Sequence, residues 1–364
     1  LTLLPYIRTA GEIKTKPTQH SVMKMREIGI QPDILVCRTE DPITRATRDK
    51  LALFTNVRPD AVISLPDQGT IYEVPLVLHA EGLDDKICDL LGIWSREPSL
   101  DQWKRIVGVL KAPKKRVAIG IVGKYVELEE SYKSLHEALV HGGLANQAAV
   151  DVVYVDAEQV ATKGADHALG QLDAVLVPGG FGERGSEGKI EAIRHARSGK
   201  IPFLGICLGM QLAVVEYSRN VVGIKGANSA EFGGEDPDSV IHLMDSQEGV
   251  TDKGGTMRLG AYDCKLDAGS SVARIYGKPQ ISERHRHRYE FNNRFRERLS
   301  TAGLLLSGVS PDGTLVEVVE LDAAAHPFFV GCQFHPEFKS KPTVPHPLFA
   351  AYIAAALKHR DGRG

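Results

Sequence analysis

Cys207 stands where the sequence changes character. Pro202-Phe203-Leu204-Gly205-Ile206 before it reads as a buried strand, and Leu212, Ala213, Val215 and Glu216 after it follow a helical pattern. Glycines at 205 and 209 flank the cysteine, giving G-x-C-x-G, the layout of a nucleophile elbow with sulfur in place of oxygen. A tight turn of that kind exposes the side chain, and the helix N-terminus behind it favours the thiolate. A lone cysteine is ordinarily a core residue. Here the paired glycines and the strand-to-helix switch argue for a nucleophile.

A thiolate nucleophile needs a proton shuttle. Gln333-Phe334-His335-Pro336-Glu337-Phe338 closes another apolar strand. On an extended segment ending in a turn, the Glu337 carboxylate can reach the far nitrogen of His335 and fix its tautomer. Upstream, Pro178-Gly179-Gly180-Phe181-Gly182 follows the buried strand Ala174-Val175-Leu176-Val177. Glycines there let backbone N–H groups face a developing oxyanion. Taken singly, His335 reads as a structural histidine and the glycines as a turn. With Cys207 in place, the order Cys…His…Glu suits a triad on a parallel sheet.

Two phosphate-binding patterns are set aside. Gly180-Phe181-Gly182-Glu183-Arg184-Gly185 satisfies G-x-G-x-x-G, but a dinucleotide loop opens the first βα unit of its domain, and several strands precede this one. Gly123-Lys124 follows a strand, but Ala118 replaces the first P-loop glycine and Tyr125 the magnesium-binding hydroxyl. The run Lys14-Thr15-Lys16-Pro17-Thr18-Gln19 reads as a loop that either holds a triphosphate or is a solvated basic turn. Arg284 to Arg288 alternates His and Arg, which could mark a metal site or a nucleic-acid patch. The net charge of −2 disfavours the second.

These residues need elements to position them. At roughly 150 residues per domain, the 364-residue chain has room for two or three. No apolar run reaches the ~18 residues of a membrane span, and no secretion signal opens the chain. Cys37, Cys88, Cys207, Cys264 and Cys332 are widely spaced with no C-x-x-C, arguing against a disulfide framework or zinc knuckle and for a reducing cytosol. Residues 1–93 alternate strands (33–38, 61–65) with helices (21–28, 47–54), as βαβ units on a mostly parallel sheet do. Leu1 to Ile7 reads as a buried strand with nothing before it, so the sequence is expected to start inside a domain. Residues 94–116, with Trp94, Trp103, Pro98 and the basic run Lys111 to Arg116, read as a linker. A second α/β domain spans 117–364. Its strands are expected at 117–122, 150–155, 174–177, 202–206, 315–320 and 328–334, with helices at 131–141 and 348–358.

In this order and spacing, Pro178 to Gly180, Gly205 to Gln211 and His335 to Glu337 resemble a class I, triad-type glutamine amidotransferase. Glu283 to Asn292, Gly254 to Gly260 and, above all, Gly11 to Val22 narrow this: the chain resembles the CTP synthase family from residue 1 to its last helix. The resemblance implies an α/β fold with three parts. Residues 1–93 would be the end of a P-loop-type parallel-sheet synthetase domain, 94–116 a linker, and 117–364 a flavodoxin-like amidotransferase domain. It also implies a reaction: ATP phosphorylates UTP on its 4-oxygen, and ammonia from glutamine displaces the phosphate to form CTP.

By matching motifs, Cys207 attacks the glutamine carboxamide, His335 shuttles the proton, Glu337 orients His335 and Gly180 supplies an oxyanion N–H. Leu208, Gly209, Met210, Gln211, Glu231 and Arg288 match glutamine-binding positions, Glu231 suiting the α-ammonium and Arg288 the α-carboxylate. Lys14, Thr15, Lys16, Pro17, Thr18, Gln19 and Lys50 match positions contacting UTP or the feedback inhibitor CTP. Pro66, Asp67 and Gln68 match a segment near the ATP adenine, and Arg184 falls where the GTP activator acts. A cytoplasmic homotetramer is implied, with no nucleic-acid or membrane partner. A family member carries a further stretch, on the order of one domain, before the position of Leu1, holding the phosphate loop and magnesium carboxylates. The expectation is that this chain has no metal ligands of its own, keeps only the glutaminase half and makes no CTP. A stand-alone hydrolase of γ-glutamyl amides or peptides on the same triad is the competing reading, and a filament or scaffold subunit a third.

Overall fold

A computed structural model describes residues 1–9, 11–94, 96–124, 132–233, 237–244 and 257–363. Ser131, Tyr125 and the Gly254 to Thr256 part of the resemblance lie outside them. The chain folds as two compact units, Leu1–Lys111 and Ala112–Gly364.

In the first unit, Thr2–Leu3, Leu35–Thr39 and Val62–Pro66 form a parallel sheet in that order. Helices Lys16–Glu27 and Arg45–Thr55 accompany the strands. The second is bounded by its own residues: the Thr44 hydroxyl accepts from Thr47 N, and Asn56 ends the helix in the left-handed conformation. Leu4, Val22, Leu35, Cys37, Leu51 and Val62 form the core.

Three expectations change here. Leu1 to Ile7 is not one buried strand. Thr2–Leu3 joins the sheet, Tyr6–Ile7 pairs instead with Glu12–Ile13, and Leu1 is 90% exposed. Pro5, which has no N–H for a ladder, sits at the break. Lys14 to Gln19 is not a loop either, because the helix starts at Lys16, with Pro17 in its first turn. Pro suits that position, where an N–H has no intrahelical acceptor. Within 94–116, Asp101–Lys111 is an amphipathic helix burying Ile106 and Val107, with Trp103 stacked on Tyr72 at 6.5 Å and Lys111 paired with Glu73 at 2.8 Å.

The second unit is built on a nine-stranded sheet. Ala148–Asp156, Lys115–Gly123, Ala174–Val177, Phe203–Ile206 and Phe329–Cys332 lie side by side and parallel. Val316–Leu321, Leu304–Val309, Arg258–Leu266 and Gln280–His287 continue the sheet antiparallel. Ala174–Val177, Phe203–Ile206 and Phe329–Cys332 are buried on both faces, so they read as continuous apolar runs. Val175, Val177, Phe203 and Phe329 face one core, with helices Ser186–Ser198 and Leu208–Tyr217. Ala174, Leu176, Leu204, Ile206 and Val330 face the other, with Lys133–Ala145 and Pro347–Asp361. The α/β architecture with parallel sheets is as expected. The three strands 258–266, 280–287 and 304–309 were not.

Candidate active site

The parallel register sets the site. Phe329–Cys332 runs beside Phe203–Ile206, with Cys332 opposite Ile206, and Ala174–Val177 flanks the other side, with Val177 opposite Gly205. The chain therefore leaves all three strands at one edge, and Gly179, Cys207 and His335 emerge together, as the carboxyl ends of open α/β sheets allow.

Cys207 is the hinge between strand and helix. Its φ is 52° and its ψ −104°, a left-handed backbone rare for a residue with a side chain. The sequence permits this turn through its glycines. A Cβ at Gly209 would lie 2.1 Å from the Val177 carbonyl oxygen, and one at Gly205 would lie 2.7 Å from Gly209 backbone. The helix Leu208–Tyr217 then starts directly behind the sulfur, and its first N–H groups have no intrahelical acceptors.

Cys207, His335 and Glu337 line one cavity of about 210 Å³ with Gly179, Gly180 and Arg286. A Cβ placed on Gly179 would come 2.7 Å from His335 Cε1 and 3.5 Å from Cys207 Cβ, which fixes how closely the three meet. His335 Nδ1 and Glu337 Oε1 are 2.8 Å apart. The imidazole also stacks on Phe338 at 5.5 Å. Its Nε2 is buried and has no hydrogen-bond partner among the described residues. Burial opposes a charge on His335, but Cys207 and Glu337 outweigh it and push the imidazole up to about 10. A protonated His335 beside Cys207 is the state these contacts favour.

The glutamine-binding candidates are distributed unevenly. Gly180 lines the cavity, and its position for a Cβ is 3.6 Å from Leu208 Cδ2, so the Leu208 side chain packs against it. Leu208, Gly209, Met210 and Gln211 are buried in the first turn of the helix. Glu231 is not on the cavity wall; its Oε1 accepts from Gly182 N at 2.7 Å, next to the lining residue Phe181. Burial raises its carboxyl, against that hydrogen bond and the charges of Lys124 and Lys189. Lys189 is itself lowered to about 8 by burial and Lys124. Arg288 is not brought to the cavity wall, and its Nη2 is buried without a hydrogen bond among the described residues. Arg286 lines the cavity instead, its guanidinium 6.0 Å from the Phe181 ring. Sequence reasoning passed over Arg286. Strand alternation could have found it, since His285 and His287 turn inward and Arg286 outward.

In the first unit, Lys14 pairs with Glu12. Thr18 is fully buried and bonds Leu3 O at 3.2 Å, while Gln19 donates to Thr15 at 3.1 Å. Lys16, Pro17 and Lys50 are exposed. Asp67 is 3.5 Å from Arg38, and Gln68 donates to Pro66 O at 2.8 Å. Thr18 and Pro66 both lie at the carboxyl edge of the small parallel sheet, since Thr18 is tied to Leu3 and Pro66 pairs with Thr39. Arg184 is held by Glu158 at 2.7 Å. Among the described residues no group of three or more His, Cys, Asp or Glu comes together to hold a metal ion, and no helix is long and apolar enough to cross a membrane.

A strand-to-helix cysteine elbow beside a His–Glu pair, on a doubly covered parallel sheet, defines the class I glutamine amidotransferase domain. Residues 127–355 match the family described as glutamine amidotransferase class-I, and residues 1–93 the one described as CTP synthase N-terminus. The CTP synthase of Geobacter metallireducens is 58% identical over 364 residues, all of this chain and 67% of the relative. That of Syntrophus aciditrophicus is 55% identical over 363 residues, again 67% of its length. The glutaminase domain of Trypanosoma brucei CTPS, solved with bound acivicin, superposes with a TM-score of 0.62 at 41% identity, covering 66% of this chain and 94% of that one. The chain belongs to the CTP synthase family, a family of glutamine-hydrolysing, ATP-dependent ligases acting on nucleotides.

Proposed function

We propose that residues 117–364 hydrolyse glutamine at Cys207 and supply the ammonia that aminates UTP to CTP. The observation carrying this reading is the strained backbone of Cys207, which turns its sulfur into the same cavity as a His335 already bonded to Glu337. The thiolate attacks the carboxamide carbon. The oxyanion takes N–H groups of Gly180 and Leu208. Protonated His335 gives its proton to the departing nitrogen, and ammonia leaves behind a thioester. Water, deprotonated by His335, then cleaves the thioester and releases glutamate. Glu231 receives the substrate α-ammonium, whose arrival offsets the cost of its burial. Arg288 takes the α-carboxylate after its buried guanidinium turns outward.

In this reading residues 1–93 belong to the synthetase domain. Lys14 to Gln19 and Lys50 serve UTP or inhibitory CTP, and Pro66 to Gln68 the ATP adenine. Thr18, already bonded inward, contributes only to shape. Arg184 answers GTP after leaving Glu158. Magnesium, which ATP chemistry implies, finds no ligand set among the described residues. The five free cysteines suit a reducing cytoplasm, and a homotetramer is the assembly proposed.

The test is glutamate release from glutamine, with and without GTP, beside Cys207→Ala. The variant should lose at least about 10³-fold, and GTP should raise the wild-type rate. Full activity in Cys207→Ala would overturn the nucleophile. Activity indifferent to every nucleotide would favour a stand-alone amide hydrolase.

A further inference from the structure

Gln333 opens the His335 motif, and the mechanism above leaves it without a role. Its side chain is fully buried, and its Nε2 lies 3.5 Å from the Cys207 sulfur in donating geometry. Its remaining contacts decide which end of the amide faces the sulfur. Gln333 Oε1 accepts from Gln211 Nε2 at 3.1 Å, and the same Gln211 nitrogen donates to the Tyr289 carbonyl at 2.9 Å. With its oxygen so engaged, Gln333 turns its NH₂ end to the sulfur. The anchorage is rigid at both ends. Gln333 N donates to Glu317 O at 2.8 Å, and the Tyr289 carbonyl takes a second hydrogen bond from His287 Nδ1 at 3.0 Å.

On its other side the sulfur faces the Arg286 carbonyl at 3.9 Å. A carbonyl accepts from the neutral thiol and disfavours the anion; an N–H donor does the reverse. The donor is the closer of the two. The Gln211 amide nitrogen is spent on Gln333 and Tyr289, and its backbone N–H donates to the Cys207 carbonyl at 3.1 Å, so residue 211 has no N–H hydrogen left for a substrate.

We infer that Gln333 is a further catalytic residue: its amide donates to the Cys207 thiolate and holds the charge from which attack begins, while Gln211 fixes the amide's direction. This rests on Cys207 being the nucleophile. Among the described residues, the ionisable groups around the sulfur are His335 with Glu337 behind it, Arg286 and Tyr132 on the cavity wall and the buried Cys332 on the adjoining strand. All of them stay in place in the variants below.

The experiment is the pH profile of iodoacetamide alkylation, read at the Cys207 peptide by mass, for wild type, Gln333→Met, Gln333→Glu and Gln211→Met. A hydrogen bond to a charged sulfur predicts that Gln333→Met raises the alkylation midpoint by about one pH unit. Glutamate release at pH 7 should fall about tenfold with it. Gln333→Glu, which sets an anion against the sulfur, should shift the midpoint further. Gln211→Met keeps Gln333 but frees its amide to turn, and a smaller shift is expected. A folded Gln333→Met with the wild-type midpoint overturns the inference even if turnover falls, because a packing defect lowers rate without moving thiol ionisation. If that variant does not fold, an unmoved midpoint in Gln211→Met overturns it equally. Retained glutamate release in Cys207→Ala overturns the nucleophile and this inference together. An unmoved midpoint with Cys207→Ala inactive overturns this inference alone.

Discussion

At the scale of single residues, the site works by setting charges against burial. His335 would be neutral if burial acted alone, and Cys207 and Glu337 reverse that outcome. The hydrogen bond from Nδ1 to Glu337 Oε1, 2.8 Å long, therefore does two things. It fixes the ring's orientation, and it stabilises the imidazolium that the proposed mechanism uses to protonate the leaving nitrogen. Glu337→Gln keeps the shape and removes the charge. The expected result is a loss of about 10²- to 10⁴-fold in kcat. The alkaline limb of kcat against pH should move to lower pH, because the imidazolium loses a partner. An unchanged profile would show that Glu337 does not set the charge of His335.

At the scale of elements, the elbow depends on two backbones touching. The helix Leu208–Tyr217 passes so close to the end of the neighbouring strand Ala174–Val177 that a methyl at Gly209 would meet the Val177 carbonyl at 2.1 Å. The obstacle is backbone, which cannot rotate aside as a side chain would. Gly209→Ala is expected to cost at least about 1–3 kcal/mol, the usual range for overpacking, and to abolish glutamate release. Gly108, inside the helix Asp101–Lys111, has nothing within 4 Å of its Cβ position. Gly108→Ala should therefore be neutral or stabilising by up to about 1 kcal/mol. Denaturant midpoints of both variants check the contrast, and equal behaviour would refute the close-approach account.

At the scale of the whole molecule, the buried polar cluster behind the site couples stability to pH. Burial and Arg258 lower His285 to about 2 and His287 to about 3. Arg258 itself is paired with Glu317 at 2.6 Å. The unfolded chain takes up protons below the ordinary histidine value of about 6.5, while the native state does not. Stability from these two groups is thus complete above that value and falls as pH drops. The loss is about 2 kcal/mol per histidine by pH 5. His335 has the opposite sign: raised in the native state, its contribution is complete below about pH 6.5 and is lost as pH climbs toward 10. Stability of the second unit should therefore peak near neutral pH. Denaturant unfolding between pH 5 and 9 measures this, and a flat acid limb would mean that the two histidines protonate in place.

The sequence by itself determined what neighbouring residues decide. The elbow at Cys207, the His335 and Glu337 spacing and the parallel strands were legible because apolar runs, glycines and short motifs act over one or two turns of chain. The resemblance to a family extended the reading to candidate nucleotide positions in the first unit. The first helix was placed too late, because Lys16 and Pro17 read as turn residues, although Pro is at home in a helix's first turn. The strand Gln280–His287 stayed hidden, since the side chains it buries, Ile281 apart, are Glu283, His285 and His287. A hydrophobic pattern does not register a strand whose inward face is polar. Only the tertiary structure decided that Arg286 faces the cavity while Arg288 does not, and that Gln333 meets the sulfur. Those contacts join residues up to 126 positions apart, across strands whose register no local pattern states, and packing alone sets which side chains meet there.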